Sequence, residues 1–390
     1  AEVLAALPAG SALVEFVRYQ QIGPRLGSTP SYGALILAPG MAPVWRRLGD
    51  EAQIRGEVER LKLLAQSGGP AGWLESAQAA LLGPVLAALP PATNRLFISP
   101  DGLLHSVPWA VLRDTEHGFL GERFVICGVA SGRDLLPRAE APASAPRDLV
   151  VFAAPAFGGA DPAGPAGGAA AIWRGLNLQD LPGARREGEA VGRLARNRGW
   201  QTREYFGAGA SEDQLRGLRG PRILHLATHG FVLPRAADAP GTAAMDLAGL
   251  ALAGGRDTLR AWQRGEQPTA ANDGILTARE ATALDLHGTE LVVLSACETA
   301  AGEAAVGEGV FGLRRGFARA GARNLLLTLW PVPDAETTDF MEDFYRRLLA
   351  GAAPEDGLAA ARTAALRRIT AERGPVEAAR RAGAFVLDVR

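Results

Sequence analysis

Two short stretches decide the fold: RILHLATHG at residues 222–230 and ELVVLSACET at residues 290–299. In each, one charged residue is followed by a short, largely apolar run that ends in polar residues, which is typical of a strand buried on both faces of a parallel sheet. Similar apolar runs alternate with longer helical patterns along most of the chain. The alternation predicts an α/β sandwich with a largely parallel sheet.

The second half of the chain shows this alternation most clearly. Six strands are predicted, at residues 148–153, 201–205, 222–227, 290–295, 323–329 and 383–389. Helical patterns separate them at residues 183–198, 211–218, 308–320, 334–350 and 355–371. The polar residues that end the two stretches quoted above therefore follow the carboxyl ends of strands, where open α/β sheets bind ligands.

The first half predicts a second α/β domain. Strands are predicted at residues 11–19, 33–38, 95–99 and 123–129, and helices at residues 50–65 and 72–89. The run RAEAPASAPR at residues 138–147 is rich in Pro and Ala and predicts a linker. We therefore divide the chain into an N-terminal domain (1–138), a linker (139–147) and a C-terminal domain (148–390).

Length, charge and cysteine content exclude several classes of protein. The 390 residues suffice for two domains. Because 41 basic residues nearly balance 42 acidic ones, no basic excess favours direct binding to nucleic acid. Two cysteines exclude a disulfide scaffold and favour a thiol-keeping compartment, so we expect a cytoplasmic protein.

The ends and the hydropathy of the chain give three further expectations. No apolar run reaches the roughly 18–20 residues of a membrane span, so no membrane association is expected. The start, AEVLAALPAG, has no basic region of the kind that opens a signal peptide. Because the first residue is not Met, we expect a fragment of a longer protein.

Cys297 and His229 are the candidates for chemistry. Each follows a predicted strand, so both lie where an α/β fold has its ligand cleft. A thiol is an effective nucleophile when a base raises its thiolate fraction, and histidine is the usual base at neutral pH. Gly230, directly after the histidine, has no side chain to obstruct its backbone N–H from a developing oxyanion. The pattern favours a Cys/His nucleophile pair over a buried structural thiol.

The remaining cysteine and histidines have structural interpretations. Cys127, inside FVICGVA, is expected in the core, and so is His225, between two leucines. Four residues of strand span about 13 Å, so one metal ion cannot bind both His225 and the other histidine of that stretch. His105 is expected to be structural and His287 to lie in an exposed loop.

The ordered motifs resemble the CHAT family of caspase-like (clan CD) cysteine peptidases. The resemblance rests on THG after one strand and SACET after a later one, then GEGVFGL and NLLLTLWPVPD. It extends to SPDGLLHSVPWAVL and FLGERFVICGVASGRDLL in the first half, and to DGILTARE and GAFVLDV in the second. It implies a bacterial protein with a six-stranded, mostly parallel sheet covered by helices on both faces. The resemblance also implies a smaller, inactive caspase-like domain before the six-stranded one, and often tetratricopeptide repeats upstream.

The resemblance also implies roles for individual residues. Cys297 matches the nucleophile and His229 the general base, and the backbone N–H groups of Gly230 and Cys297 match the oxyanion hole. Ser295 occupies a position that lines the pocket for the side chain before the scissile bond; its shortness argues against a caspase-like preference for Asp. Glu298 is a pocket candidate that could equally face water.

Two further carboxylates have both structural and functional interpretations. Asp334 opens a predicted helix before Thr337, an N-cap arrangement, and is otherwise a candidate for substrate contact. Glu308 lies at the start of another predicted helix, where its charge suits the helix dipole.

Taken together, these features predict a cysteine endopeptidase that cleaves a protein or peptide substrate. No cofactor and no metal are required by this chemistry. Regulation by a partner, or by an upstream tetratricopeptide-repeat module, is expected because the 231–273 stretch between the two motifs is long and rich in Ala, Gly and Pro. Two other functions stay open: a caspase-like scaffold or sensor that cleaves nothing, and a Cys-dependent acyltransferase or amidase.

Overall fold

The computed structural model describes residues 2–22, 27–137, 146–159, 178–232, 245, 248–264, 266, 272–295 and 306–390. For residues 232, 263, 306–311, 334 and 335 it describes the backbone only. The chain forms two compact units, one of Ala1–Glu140 with Ala352–Arg390 and the other of Ala141–Gly351. We call them unit 1 and unit 2.

Unit 1 contains a mixed sheet with strand order β3-β2-β1-β4-β7-β16. The strands β1, β2 and β3 pair antiparallel, whereas β1, β4, β7 and β16 follow one another in parallel. A two-stranded antiparallel ladder, β5 and β6, stands apart. The strands are β1 (Ser11–Ile22), β2 (Ser28–Leu37), β3 (Val44–Asp50), β4 (Arg95–Ser99), β5 (Arg113–Asp114), β6 (Gly118–Phe119), β7 (Val125–Gly128) and β16 (Phe385–Asp388).

The helices of unit 1 come from both ends of the chain. They are α1 (Glu2–Ala6), α2 (Glu51–Ser67), α3 (Gly72–Leu81), α4 (Gly83–Leu86), α5 (Leu120–Arg123), α12 (Pro354–Arg373) and α13 (Pro375–Ala382), with short 3₁₀ turns at Gly102–Ser106, Trp109–Val111 and Gly132–Leu135.

The segment Ala352–Arg390 joins unit 1 because it completes the core of that unit. Leu366 and Ile369 of α12 are buried in the same apolar cluster as Val14 of β1 and Leu96 of β4. Burial of such side chains stabilises by about 1.5–3 kcal/mol each, so this segment is anchored to the N-terminal half. The sixth strand of the predicted C-terminal set, observed as β16, accordingly pairs with β7 of unit 1. The domain predicted at residues 148–390 thus extends beyond the end of unit 2.

Unit 2 contains a parallel sheet with strand order β15-β14-β10-β8-β9 and a small antiparallel sheet, β11-β12-β13. Its strands are β8 (Asp148–Pro155), β9 (Gln201–Gly207), β10 (Ile223–Ala227), β11 (Gly230–Val232), β12 (Ala248–Ala251), β13 (Ile275–Thr277), β14 (Leu291–Ser295) and β15 (Asn324–Thr328). Its helices are α6 (Pro182–Asn197), α7 (Glu212–Arg216), α8 (Gly255–Gln263), α9 (Ala278–Ala281), α10 (Val306–Ala320) and α11 (Asp334–Leu348).

The central strands of unit 2 are buried on both faces. All five residues of β10 are buried, although successive side chains point to opposite faces of the sheet. The helix α6 packs against β8, β9 and β10, and also against α11. Gly188 allows this close approach, since a Cβ there would lie 2.7 Å from the Cβ of Ala153.

Two features of the described helices depart from the sequence expectations. The helix expected at residues 72–89 is two helices, because a new helix, α4, begins at Gly83 with Pro84 in its first turn. The 231–273 stretch, where the sequence predicted no helix or strand, contains β12 and α8. None of the described helices combines the length and the apolar character needed to cross a membrane.

Candidate functional site

The segment from Thr228 to Gly230 connects β10 to the small antiparallel sheet. The Thr228 hydroxyl donates a hydrogen bond to the Ala251 carbonyl, and the Ala251 N–H donates to the His229 carbonyl at 2.9 Å. Gly230 then pairs with Leu250 of β12. The backbone of the histidine is therefore fixed from the side of β12, just beyond the carboxyl end of β10.

The ring of His229 is held in one orientation. It is buried, with 6% of the residue exposed, and its Nε2 lies 2.7 Å from the carbonyl oxygen of Gln179. Because a carbonyl can only accept, Nε2 carries the proton, and Nδ1 of the neutral ring holds the lone pair. The Phe157 ring packs against the imidazole, with centroids 5.2 Å apart. The histidine is thus poised to take up a proton at Nδ1.

Ser295, the last residue of β14, lies at the same edge of the sheet. It pairs in parallel with Ala227 of β10, two residues before His229. Its hydroxyl donates a hydrogen bond of 3.0 Å to Glu187 of α6, a carboxylate that is only 3% exposed. The end of β14 is therefore bonded to the helix packed on the sheet.

The Glu187 carboxylate belongs to a buried chain of polar groups. Its second oxygen lies 3.2 Å from Nε2 of His225, and Nδ1 of His225 lies 3.0 Å from the Tyr345 hydroxyl on α11. Burial, and secondarily the Glu187 charge, raises the pKa of Tyr345 well above its usual value, so the phenol keeps its proton. In the tautomer that accepts from the phenol at Nδ1, the His225 proton is on Nε2, 3.2 Å from the carboxylate oxygen. His225 is the buried core histidine that the sequence predicts.

The other predicted site residues fall in different places. Cys297 and Glu298 lie outside the described residues, as does the SACET motif beyond Ser295. The backbone places Asp334 at the first position of α11, with Pro333 at the cap position, so the expected N-cap assignment to Asp334 is wrong. Proline, whose missing N–H costs nothing at a helix start, precedes it. For Glu308 of α10, only the backbone is described.

The structural interpretations of two other residues are confirmed. Cys127 is fully buried in β7 and is a free thiol. His287 is exposed in a turn, with 83% of its side chain accessible. Among the described residues, no three of His, Cys, Asp and Glu gather closely enough to hold a metal ion.

Three contributors to this site were not predicted: Gln179, Glu187 and Arg256. Gln179 acts through its backbone carbonyl, which every residue possesses, so no sequence signal marks it. Glu187 is one of several charged residues of α6, and only the fold shows that it is buried. Arg256, on α8, donates hydrogen bonds to the Leu178 carbonyl, directly before Gln179.

Comparison with known proteins places the chain in a family. The model of the CHAT domain matches residues 73–374, more than half of the chain. The chain belongs to the CHAT-domain family. A curated relative, tetratricopeptide repeat protein 28 of Mus musculus, is 44% identical over 78 residues, which are 20% of this chain and 3% of the relative.

Solved structures share the fold at low sequence identity. A chain of the separase–securin complex of Saccharomyces cerevisiae matches with a TM-score of 0.53 and 10% identity, over 100% of this CHAT-domain chain and 30% of that chain. The Arg-specific cysteine proteinase gingipain R matches with a TM-score of 0.43 and 9% identity, over 87% of this chain and 74% of that chain. This chain thus spans about a third of the separase-complex chain and a small part of the curated relative. The family and the caspase-like α/β fold implied by the motifs are confirmed.

Proposed function

We propose that this CHAT-domain chain is a cysteine endopeptidase, with Cys297 as nucleophile and His229 as general base. The observation that carries the proposal is the register between β10 and β14. Every paired residue of β14 is numbered 68 above its partner in β10, from Ile223 with Leu291 to Ala227 with Ser295. The same offset takes His229 to Cys297. Neighbouring strands lie about 4.8 Å apart, so side chains that leave adjacent strand ends in register can reach each other.

The described geometry of His229 supports the following proton transfers. Nδ1 of His229 accepts the thiol proton of Cys297, and the thiolate attacks the scissile carbonyl. The imidazolium then has a proton on each nitrogen, and the Gln179 carbonyl stabilises the one on Nε2. The Nδ1 proton passes to the leaving amine, and water releases the acyl group from the sulfur.

A donor for the oxyanion comes from the peptide that joins His229 to Gly230. No peptide bond in the described residues is cis, so the N–H of Gly230 points opposite to the carbonyl of His229. That carbonyl accepts from Ala251 of β12, and the Gly230 N–H therefore points away from β12. We assign this N–H, with that of Cys297, to the tetrahedral oxyanion, where loss of one donor typically costs about 10²–10³ in kcat.

Unit 1 is proposed as a non-catalytic domain. Its cysteine, Cys127, is buried within β7 and does not follow a strand, so the described residues of unit 1 contain no cysteine in the position expected of a nucleophile. The substrate is proposed to be a protein or peptide, and a partner or an upstream tetratricopeptide-repeat module to regulate cleavage. The relative that is itself a tetratricopeptide repeat protein supports the second point.

Incubation with a degenerate peptide library, followed by mass spectrometry of the products, tests the proposal. We expect internal cuts with the wild type and with Cys127→Ala, and none with Cys297→Ala. An intact library would favour a scaffold that cleaves nothing. Products modified at an acyl or amide group without chain cleavage would favour an acyltransferase or amidase. Either result would overturn the peptidase proposal.

A further inference from the structure

We propose that Arg256 is the positioning residue that holds the Gln179 carbonyl against His229 and so keeps the histidine competent as a base. The inference rests on the proposed function for its kinetic part only. Arg256 is on α8, a helix that the sequence did not predict, and it has no place in the catalytic pair itself. Its side chain contacts two separate segments of unit 2.

The guanidinium of Arg256 bonds to the segment that contains Gln179. Its Nε donates to the Leu178 carbonyl at 3.1 Å, and its Nη2 also donates to this oxygen. The same Nη2 lies 3.5 Å from the carboxylate of Asp180. Arg256 therefore holds Leu178, directly before Gln179, through two hydrogen bonds, and makes a longer contact with the exposed carboxylate of Asp180 after it.

The other end of the guanidinium bonds to the loop after β8. Its Nη1 donates to the carbonyls of Gly158 and Gly159, at 2.8 and 3.1 Å. Backbone contacts reinforce this end, since the N–H of Arg256 donates to the Phe157 carbonyl at 2.8 Å. Phe157 is the residue whose ring packs on His229. One side chain thus bridges the segment that bonds the imidazole and the segment that packs on it.

Only an arginine side chain supplies this set of bonds. The planar guanidinium presents five N–H donors in a fixed fork, whereas a lysine ammonium is a point donor on a flexible stem. The side chain is 17% exposed, so water competes weakly for these carbonyls. Leu178 itself is buried in the small apolar cluster with Phe157 and Phe231. Apolar packing fixes the side chain of Leu178, and Arg256 fixes the direction of the adjoining backbone.

Arg260 provides a matched control on the same helix. It lies one turn after Arg256, donates to the Gly159 carbonyl at 2.9 Å and forms an ion pair with Asp257 at 3.2 Å. It carries the same charge and touches the same loop, but its described bonds do not include the Gln179 segment. Arg260→Gln therefore tests whether loss of any arginine from α8 has the same effect.

The experiment compares Arg256→Gln, Arg256→Lys and Arg260→Gln with the wild type, using the full chain. The first readout is the imidazole N–H proton of His229 in NMR spectra of histidine-labelled protein, assigned with His229→Gln. The second is kcat and KM on a peptide found in the library screen. We expect the ring proton in the wild type and in Arg260→Gln, and its loss through exchange with water in Arg256→Gln. We expect kcat to fall about 10–100-fold with KM within about twofold, and Arg256→Lys to be intermediate.

The NMR signal and the kinetics separate this inference from the proposed function. If Arg256→Gln folds and retains both the ring proton and kcat, the inference is wrong. Equal losses in Arg260→Gln would also overturn it, since they would show a general effect of the helix. If Arg256→Gln does not fold, Arg256→Lys decides in the same way. If the wild type cleaves no peptide, the peptidase proposal fails while the ring proton still decides the role of Arg256.

Discussion

The two cysteines of the chain stand in contrasting relations to their strands. Cys127 is inside β7, pairs in register with Phe97 of β4 and is fully buried in unit 1. Burial raises its pKa to about 12, with the Glu355 charge contributing in the same direction. In the sequence, Cys297 comes two residues after Ser295, the last residue of β14. The comparison shows that position relative to the strand end, and not the apolar run before a cysteine, distinguishes a core thiol from a candidate nucleophile.

Alanine substitution at each cysteine is expected to give the largest difference between the two positions. We expect Cys297→Ala to reduce peptide cleavage by at least about 10⁴-fold, because no other group replaces the nucleophile. We expect Cys127→Ala to cleave at a rate within about twofold of the wild type. Both rates are measured on the same peptide, together with circular dichroism to show that each variant is folded. Equal activity of the two variants would contradict the proposal that Cys297 is the nucleophile.

Alkylation tests the same contrast without a substrate. At pH 8 only about one in 10⁴ thiols with a pKa near 12 is ionised, against about one in four for an ordinary cysteine. We therefore expect iodoacetamide to modify Cys297 at least about 10³-fold faster than Cys127 in the folded chain. Mass spectrometry of the proteolytic peptides measures both rates. Rapid modification of Cys127 in the native protein would show that reagent reaches this thiol in the folded chain.

The central parallel strands of unit 2, such as β10 and β14, were predictable because each is a short, largely apolar run. The expected strands at residues 201–205 and 290–295 differ from the observed β9 and β14 by at most two residues at either end. The strand β12 was missed because its sequence, AGLA, is short and has little β propensity. Its pairing with β11 and β13 stabilises it, and such contacts are distant in sequence.

At the candidate site, the sequence could predict which side chain carries a reactive group, but not which buried side chains contact each other. His229 was marked by its position after a strand, whereas nothing local distinguishes Glu187 from Glu189. Both are glutamates of α6, yet Glu189 forms a surface ion pair with Arg185 and Glu187 is buried against His225. Only the packing of α6 on the sheet decides which carboxylate turns inward.

Removal of Glu187 tests whether the strand end of unit 2 depends on its buried polar contacts. We expect Glu187→Leu to lower the free energy of unfolding by about 3 kcal/mol, because His225 and Ser295 both lose a buried partner. Tyr345→Phe, which removes one hydroxyl from the same chain of groups, should cost about 1 kcal/mol. Denaturant unfolding measures both. A Glu187→Leu variant as stable as the wild type would show that the network contributes nothing to stability.

Alkaline pH gives the smallest expected effect, and it concerns the buried thiol of unit 1. The folded-state pKa of Cys127, about 12, lies above the roughly 8.5 of an unfolded cysteine. Between these values the unfolded chain releases the proton and the folded chain keeps it, so stability falls as pH rises through this window. From pH 9 to pH 10 this single group should lower the free energy of unfolding by about 1 kcal/mol. Below about pH 7 the thiol is almost fully protonated in both states and contributes almost no pH dependence.

The measurement compares the wild type with Cys127→Ala by denaturant unfolding at pH 7.5, 9 and 10. We expect the stability of the wild type to fall more steeply than that of Cys127→Ala between pH 9 and pH 10. Other alkaline groups, such as Arg362, whose pKa burial lowers to about 10, are present in both proteins, so their direct contributions largely cancel. Parallel curves would mean that the folded state ionises this thiol as readily as the unfolded chain does. The contrast between the buried thiol of β7 and the proposed nucleophile that follows β14 in the sequence would then lose its physical basis.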